Sequence, residues 1–146
     1  MAESHATAIW EGDLASGSGR VAPGSGAFGE LQVTWAARTE RPAPKTSPEE
    51  LLAAAHAACY AMALSHVLAG NGTPPDRLEV GTVCRFEPAG EGFAVTSLDA
   101  SVRGVVPGLD QAAFARLAEQ GEEGCPVSNA LRGNVAISLS ATLADG

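Results

Sequence analysis

The residues of this sequence that could carry redox or nucleophilic chemistry are its three cysteines, Cys59, Cys84 and Cys125. A thiolate attacks electrophilic oxygen or sulfur, and nearby positive charge or a helix N-terminus favours the thiolate over the thiol. Cys125 stands between Gly124 and Pro126, at the predicted N-cap of a short helix, where free backbone N–H groups stabilise a thiolate. Its local sequence is equally typical of a reactive thiol and of a small buried cap residue.

Cys59 and Cys84 stand at positions that favour core packing. Cys59 lies in the middle of a long alanine-rich helix, where no end of that helix lowers its pKa, so as a nucleophile it needs a cationic partner from elsewhere. Cys84 lies on the apolar face of a predicted strand. His56 precedes Cys59 by one turn, which allows a thiol–imidazole pair or, with Cys125, a metal site. The chain has no CxxC or HExxH spacing, so no motif supports the metal hypothesis.

Arginine is the cation best suited to activate a buried thiol, because its guanidinium keeps its charge away from water. Arg38 and Arg41 precede the long helix, and Glu49 stands in its first turn. Two thiols, an arginine supply and a glutamate at a helix start together suggest a redox-active pair of cysteines.

The element that must position Cys59 is the predicted helix over residues 47–70. Ser47 is a suitable N-cap, Pro48 suits the first helical position, and the two glutamates that follow complement the helix dipole. Gly70 begins a Gly-Asn-Gly stretch that ends the helix, and two prolines beyond it forbid continuation. The helix is apolar almost all round, which predicts burial with close approach by its neighbours.

Short strands are predicted on both sides of this helix, and two further helices follow. The predicted strands cover residues 5–10, around 20–21, 31–36, 78–87, 93–106 and 135–142, and the later helices cover 111–122 and 126–131. The order βββ-α-ββ-αα-β predicts an α+β fold with antiparallel sheets around a long central buried helix, as one domain over residues 1–146.

Composition restricts the partners and the compartment. The net charge of −8 and the single lysine, Lys45, argue against nucleic acid and against an acidic membrane surface. The stretch 51–69 approaches membrane-spanning length, but its histidines and alanines favour a buried helix of a soluble protein. The first ten residues do not fit an export signal, and the few cysteines suggest a reducing compartment, so we expect a cytoplasmic protein.

Two cysteine-centred stretches resemble the signatures of the OsmC/Ohr family of thiol-dependent hydroperoxide reductases. The first runs from Ser47 to Leu64 around Cys59, the second is Gly124-Cys125-Pro126-Val127-Ser128, and the phrases Trp10-Glu11-Gly12 and Val106-Pro107-Gly108-Leu109-Asp110 also match. The resemblance covers nearly the whole chain. His56 is similar to the OsmC branch, whereas Tyr60 and Ser47 replace the commoner Phe and Asn.

The resemblance implies a peroxidase that needs no cofactor. Cys59 would be the peroxidatic thiolate that reduces an organic hydroperoxide, and hydrogen peroxide more weakly, and becomes a sulfenic acid. Cys125 would be the resolving thiol that condenses with it to an intramolecular disulfide. An external dithiol, from a lipoyl protein, thioredoxin or a small thiol, would then reduce the disulfide. The alternative is a redox sensor or small-molecule binding stress protein in which the same thiols do not turn over.

The resemblance also implies an arginine and a glutamate that activate the thiolate in an intertwined homodimer. Glu49 matches the family glutamate, and Arg38 is our choice for the arginine, with Arg41 and Arg20 as fallbacks. In an unbroken helix, Glu49 and Cys59 lie about 15 Å apart along the axis. Glu49 therefore has to act through Arg38 or serve the site of the partner subunit.

Overall fold

The computed structural model describes residues 1–40 and 44–145. These residues form an α+β fold with two three-stranded sheets and helices. The chain divides into two compact units, Met1–Leu51 and Leu52–Gly146, and each unit is described by itself.

The first unit is an antiparallel sheet followed by a short helix. Its strands, in the order β1-β2-β3, are Ala6–Glu11, Ser18–Pro23 and Leu31–Val33, and helix α1 is Trp35–Thr39. The prediction of a strand over residues 31–36 is wrong in its second half. Thr34 Oγ1 accepts a hydrogen bond from the Ala37 N–H (3.0 Å) and so caps a helix where the apolar alternation alone predicted a strand. Arg38 consequently lies in the last turn of α1.

Helix α2, Pro48–Gly70, begins and ends as the sequence predicts. The Glu50 N–H donates to Ser47 Oγ (3.1 Å), which is the expected N-cap bond. Beyond its C-terminus Gly72 adopts a left-handed conformation with φ of 79°. The helix is continuous, so the axial separation of Glu49 from Cys59 applies as stated.

The second unit holds the other sheet and the two later helices. Its strands are β4 (Arg77–Ala89), β5 (Gly92–Val105) and β6 (Ala136–Leu143), and its later helices are α3 (Gln111–Glu123) and α4 (Pro126–Leu131). Strands β4 and β5 form an antiparallel hairpin, but β6 pairs parallel to β5. The expectation of purely antiparallel sheets is wrong here, because α3 and α4 form a crossover that returns the chain to β6 in the direction of β5.

One stripe of α2 forms the centre of the second unit's core. His56, Tyr60, Leu64 and Leu68 recur every fourth residue and are fully buried, and the last three belong to one core cluster with residues of β5 and α3. Gly121 of α3 permits this contact, because a Cβ there would lie 3.0 Å from the Leu64 Cα. The prediction of a buried helix therefore holds for this stripe.

The opposite stripe of α2 is exposed in the single chain. It consists of Ala54, Ala58, Met62 and His66, and Met62 is 67% exposed. By length and composition alone α2 could also cross a membrane, with a mean hydropathy of 1.5 over a window that is 22% buried. Core helices of soluble proteins can be equally long and apolar, so the absence of a membrane partner stays a prediction.

Candidate active site

The thiols of Cys59 and Cys125 meet in the second unit. Cys59 lies midway along α2 and Cys125 is the N-cap residue of α4, and their side chains share a hydrogen bond. Cys125 is fully buried, whereas Cys59 is partly exposed. Cys84 is 8% exposed and lies on the partly buried face of β4. All three cysteines are free thiols. The two cysteines singled out in the sequence are thus in contact, while their chemical roles stay predictions.

The surroundings of Cys59 act on its pKa in opposite directions. Burial raises the pKa of the Cys59 thiol most strongly, and the hydrogen bond and charge of Cys125 raise it further. The backbone N–H of Val127, in the first turn of α4, donates to the sulfur and lowers the pKa. The net shift is upward, and among the described residues none of these contributions comes from a cation.

The position of Val127 is the site feature that sequence reasoning missed. The free N–H groups at the start of α4 were expected to act on Cys125, the N-cap residue of that helix. Instead, one of them points to Cys59, on a different helix. Pro126 signals a helix start with free donors, but only the packing of α4 on α2 shows which sulfur receives them.

Arg38 and Glu49 form an ion pair inside the first unit. Arg38 donates from Nε (2.9 Å) and from Nη2 (2.7 Å) to the same carboxylate oxygen, Glu49 Oε1. The Glu49 side chain is fully buried and that of Arg38 is 32% exposed. Glu49 Oε2 is buried without a hydrogen-bond partner among the described residues. The pair corresponds to the arrangement in which Glu49 acts through Arg38.

The two fallback arginines differ in what can be said of them. Arg20 lies on β2 and makes surface ion pairs with Glu30 (3.2 Å) and Glu11 (4.0 Å). Arg41 lies outside the described residues. Of the two candidates that the structure describes, Arg38 and Arg20, Arg38 is the one held by a buried carboxylate.

A cavity of about 330 Å³ opens beside Arg38 in the first unit. Its wall is mostly apolar and is formed by Trp10, Leu14, Val33, Thr34, Trp35, Arg38 and Pro48. A guanidinium at the edge of an apolar cavity can hold the polar end of a ligand whose other end is hydrocarbon.

His56 is held on both sides of its ring by hydroxyl groups. Its Nε2 lies 2.8 Å from Ser128 Oγ and its Nδ1 lies 3.2 Å from Thr82 Oγ1. Burial lowers the pKa of His56, although the charge of Glu122 partly opposes this. Within residues 1–40 and 44–145, no group of three or more His, Cys, Asp or Glu side chains is arranged to hold a metal ion. The structure therefore lends the metal hypothesis no support.

Two thiols in contact across two helices of an α+β fold have the arrangement that an intramolecular disulfide requires. The chain belongs to the OsmC-like protein family, whose sequence model matches residues 41–140. The resemblance noted in the sequence is thereby confirmed.

Named relatives agree with this assignment. The chain is 35% identical to Peroxiredoxin OsmC of Escherichia coli (strain K12) over 130 residues, which is 89% of this chain and 90% of the relative. It is 32% identical to an Organic hydroperoxide resistance protein of Xanthomonas axonopodis pv. citri (strain 306), over 65% of this chain and 66% of the relative. The crystal structure of the Organic Hydroperoxide Resistance Protein OhrB of Bacillus subtilis superimposes with a TM-score of 0.74 at 26% identity, over 94% of this chain and 98% of that one.

Proposed function

We propose that this protein is a cysteine-based peroxidase that reduces organic hydroperoxides, and hydrogen peroxide more slowly. The observation that carries the proposal is the contact of Cys59 with Cys125 at the start of α4. The names of the relatives, a peroxiredoxin and organic hydroperoxide resistance proteins, support the same chemistry.

The reaction needs both thiols in order. The Cys59 thiolate attacks the outer oxygen of the hydroperoxide, the O–O bond breaks, and the alkoxide leaves as an alcohol after it takes up a proton. Cys59 is then a sulfenic acid. The Cys125 thiol condenses with it, which forms the disulfide and releases water. A dithiol from solution reduces the disulfide by thiol–disulfide exchange and restores both thiols.

The thiolate of Cys59 needs a cation, and among the described residues no cation contributes to its pKa. Burial and Cys125 hold its pKa up, and the Val127 N–H opposes them only in part. We assign the activation to Arg38, which the buried Glu49 carboxylate holds by two hydrogen bonds. An arginine fixed in this way presents a permanent charge to a thiolate.

The working form is proposed to be a homodimer. The exposed stripe of α2 supports this, because Ala54, Ala58 and Met62 form an apolar surface on a helix whose other face is core. In the dimer each site combines the thiols of one chain with the Arg38–Glu49 pair of the partner subunit. We also place the protein in the cytoplasm, where a dithiol reductant is available and its three cysteines remain thiols.

The cavity beside Arg38 supports a substrate with a hydrocarbon part. Its two tryptophans, Trp10 and Trp35, offer an apolar wall to an alkyl or aryl group while the guanidinium meets the peroxide oxygens. We therefore expect bulky organic hydroperoxides to react faster than hydrogen peroxide.

The test is turnover with a defined dithiol. With dithiothreitol the protein should consume cumene hydroperoxide steadily, Cys59→Ser should abolish consumption, and Cys84→Ser should leave it unchanged. Mass spectrometry after one equivalent of hydroperoxide should find a Cys59–Cys125 disulfide. A linkage through Cys84 would overturn the assigned roles. Stoichiometric oxidation without turnover under several dithiols would instead favour a redox sensor.

The shared site has its own test. Heterodimers of Cys59→Ala and Glu49→Ala chains should regain activity, because one of their two sites is then intact. Verified heterodimers without activity would contradict a site built from two chains.

A further inference from the structure

The buried hydrogen bond between His56 and Ser128 joins the same two helices as the thiol contact. His56 and Cys59 are one turn apart on α2, and Ser128 and Cys125 are one turn apart at the start of α4. His56 Nε2 meets Ser128 Oγ at 2.8 Å, and the two sulfurs meet one turn further along. Residue numbers rise along α2 and fall along the α4 segment from one pair to the next, so the two segments are antiparallel. The His56–Ser128 hydrogen bond and the thiol contact are therefore neighbouring contacts between α2 and α4.

The imidazole ring of His56 is held in place by hydroxyl groups on both sides and by a stacked aromatic ring. His56 and Ser128 are both fully buried, and Thr82 Oγ1 lies 3.2 Å from His56 Nδ1. The ring of His56 also stacks on that of Tyr60, with centroids 6.3 Å apart. Each hydroxyl can donate or accept, so a neutral ring makes both bonds in either tautomer. Protein groups therefore hold the imidazole ring in place, without need of a hydrogen bond to water.

We infer that His56 and Ser128 are positioning residues that hold Cys125 against Cys59 for formation of the disulfide. This inference rests on the proposed peroxidase function and adds to it the residues that govern the second step. His56 touches neither sulfur through a described hydrogen bond, and its contribution is the placement of α4.

Two reactions compete for the sulfenic acid of Cys59. In one reaction the Cys125 thiol displaces water from the sulfenic acid, forming the disulfide. In the other a second hydroperoxide transfers an oxygen to the sulfenic acid, which becomes a sulfinic acid while the hydroperoxide becomes an alcohol. If the link between α2 and α4 is lost, Cys125 occupies the reacting position less of the time, and the second reaction gains.

The decisive variant is Ser128→Ala, which removes one oxygen atom. We expect about a fivefold larger yield of Cys59 sulfinic acid per turnover, the ratio that corresponds to one net neutral hydrogen bond. The rate of the first oxidation of Cys59, measured in a single turnover, reports separately any effect that reaches Cys59 through the Val127 N–H, because the sulfinic acid yield is counted per oxidised Cys59. Intact-protein mass spectrometry distinguishes the products, because the disulfide loses two hydrogens and the sulfinic acid gains two oxygens.

The matched control is Tyr60→Phe. Tyr60 Oη donates to the Ala118 carbonyl (3.0 Å), so its loss removes a buried hydrogen bond between α2 and α3 and leaves α4 untouched. If a general loss of packing were responsible, both variants would raise the sulfinic acid yield alike, and that result would overturn the inference. The expected result is an increase for Ser128→Ala alone.

A double-mutant cycle tests whether the effect comes from the pair. His56→Leu and Ser128→Ala should each raise the yield, and the double variant should raise it no further than the larger single effect. Additive effects would contradict the pair. Should His56→Leu not fold, the comparison of Ser128→Ala with Tyr60→Phe still decides. A wild type that forms no disulfide would refute the proposed function itself, whereas a turning-over Ser128→Ala with a normal yield would refute only this inference.

Discussion

Substitution of Arg38 and substitution of Glu49 should lower the free energy of unfolding by unequal amounts, although each breaks the same ion pair. Glu49 is fully buried, so Arg38→Met leaves a buried carboxylate without its cation. Breaking a buried pair in this way costs about 3–5 kcal/mol, and the partial exposure of Arg38 lets water reach the carboxylate and reduces this to about 2–3 kcal/mol. Glu49→Gln leaves only a guanidinium that is already 32% exposed, and the amide oxygen can still accept. Glu49→Gln should therefore lower the free energy of unfolding by only about 1 kcal/mol.

The double variant separates the contribution of the ion pair to stability from its contribution to peroxidase activity. Arg38→Met with Glu49→Leu replaces both charges by apolar groups, which should restore most of the stability lost in Arg38→Met. The unfolding free energy from urea titration at one fixed protein concentration measures this, because the stability of the proposed dimer would depend on concentration. Peroxidase activity should not return, since the double variant lacks the guanidinium to which we assign activation of Cys59. Equal losses for the two single variants, or a double variant as unstable as their sum, would refute the reasoning.

Three further predictions concern other parts of the second unit. Cys125→Ala should lower the pKa of Cys59, because Cys125 raises it. Cys59 should then be alkylated faster at neutral pH than in the wild type, as followed by mass spectrometry. Slower alkylation would contradict this. Since burial lowers the pKa of His56 in the fold, the unfolded state binds more protons, and stability should fall as the pH drops below the ordinary histidine pKa of about 6.5. The urea midpoint should show this slope in the wild type and less of it in His56→Leu. Gly121→Ala should cost about 1–3 kcal/mol by forcing α3 away from α2. Gly124→Ala, whose Cβ would meet its nearest neighbour at 3.5 Å, is its control, and equal melting temperatures for the two would contradict the packing argument.

The long helix and the later strands could be predicted because their signals are local. Ser47, Pro48 and the glycines past Gly70 act through bonds within a few residues, so α2 has the predicted bounds. The start of α1 was missed although its signal is also local. Thr34 can accept from an N–H three residues on, but the apolar alternation around it competes with that signal.

The direction of β6 and the surroundings of Cys59 depend on packing between distant parts of the chain. An alternating strand pattern is the same for parallel and antiparallel pairing, so only the crossover through α3 and α4 decides the direction of β6. Likewise, the N–H of Val127 reaches Cys59 because α4 lies against α2, and no residue near Cys59 in sequence signals this. The residues alone suggested a redox-active pair of cysteines, and the pairing of Cys59 with Cys125 in a disulfide came from the family resemblance.

The difference in exposure between the two sulfurs has a consequence for the order of events. Cys125 has no exposed surface, whereas part of Cys59 is accessible, so a solute that arrives from water meets Cys59 first. An oxidant that reaches only Cys59 cannot damage Cys125 directly, and a dithiol that attacks the disulfide finds the same single sulfur open to it. In the proposed cycle, electrons would therefore enter and leave the pair through Cys59 alone. Cys125 would exchange electrons only with Cys59, because its burial keeps external reagents away from its sulfur.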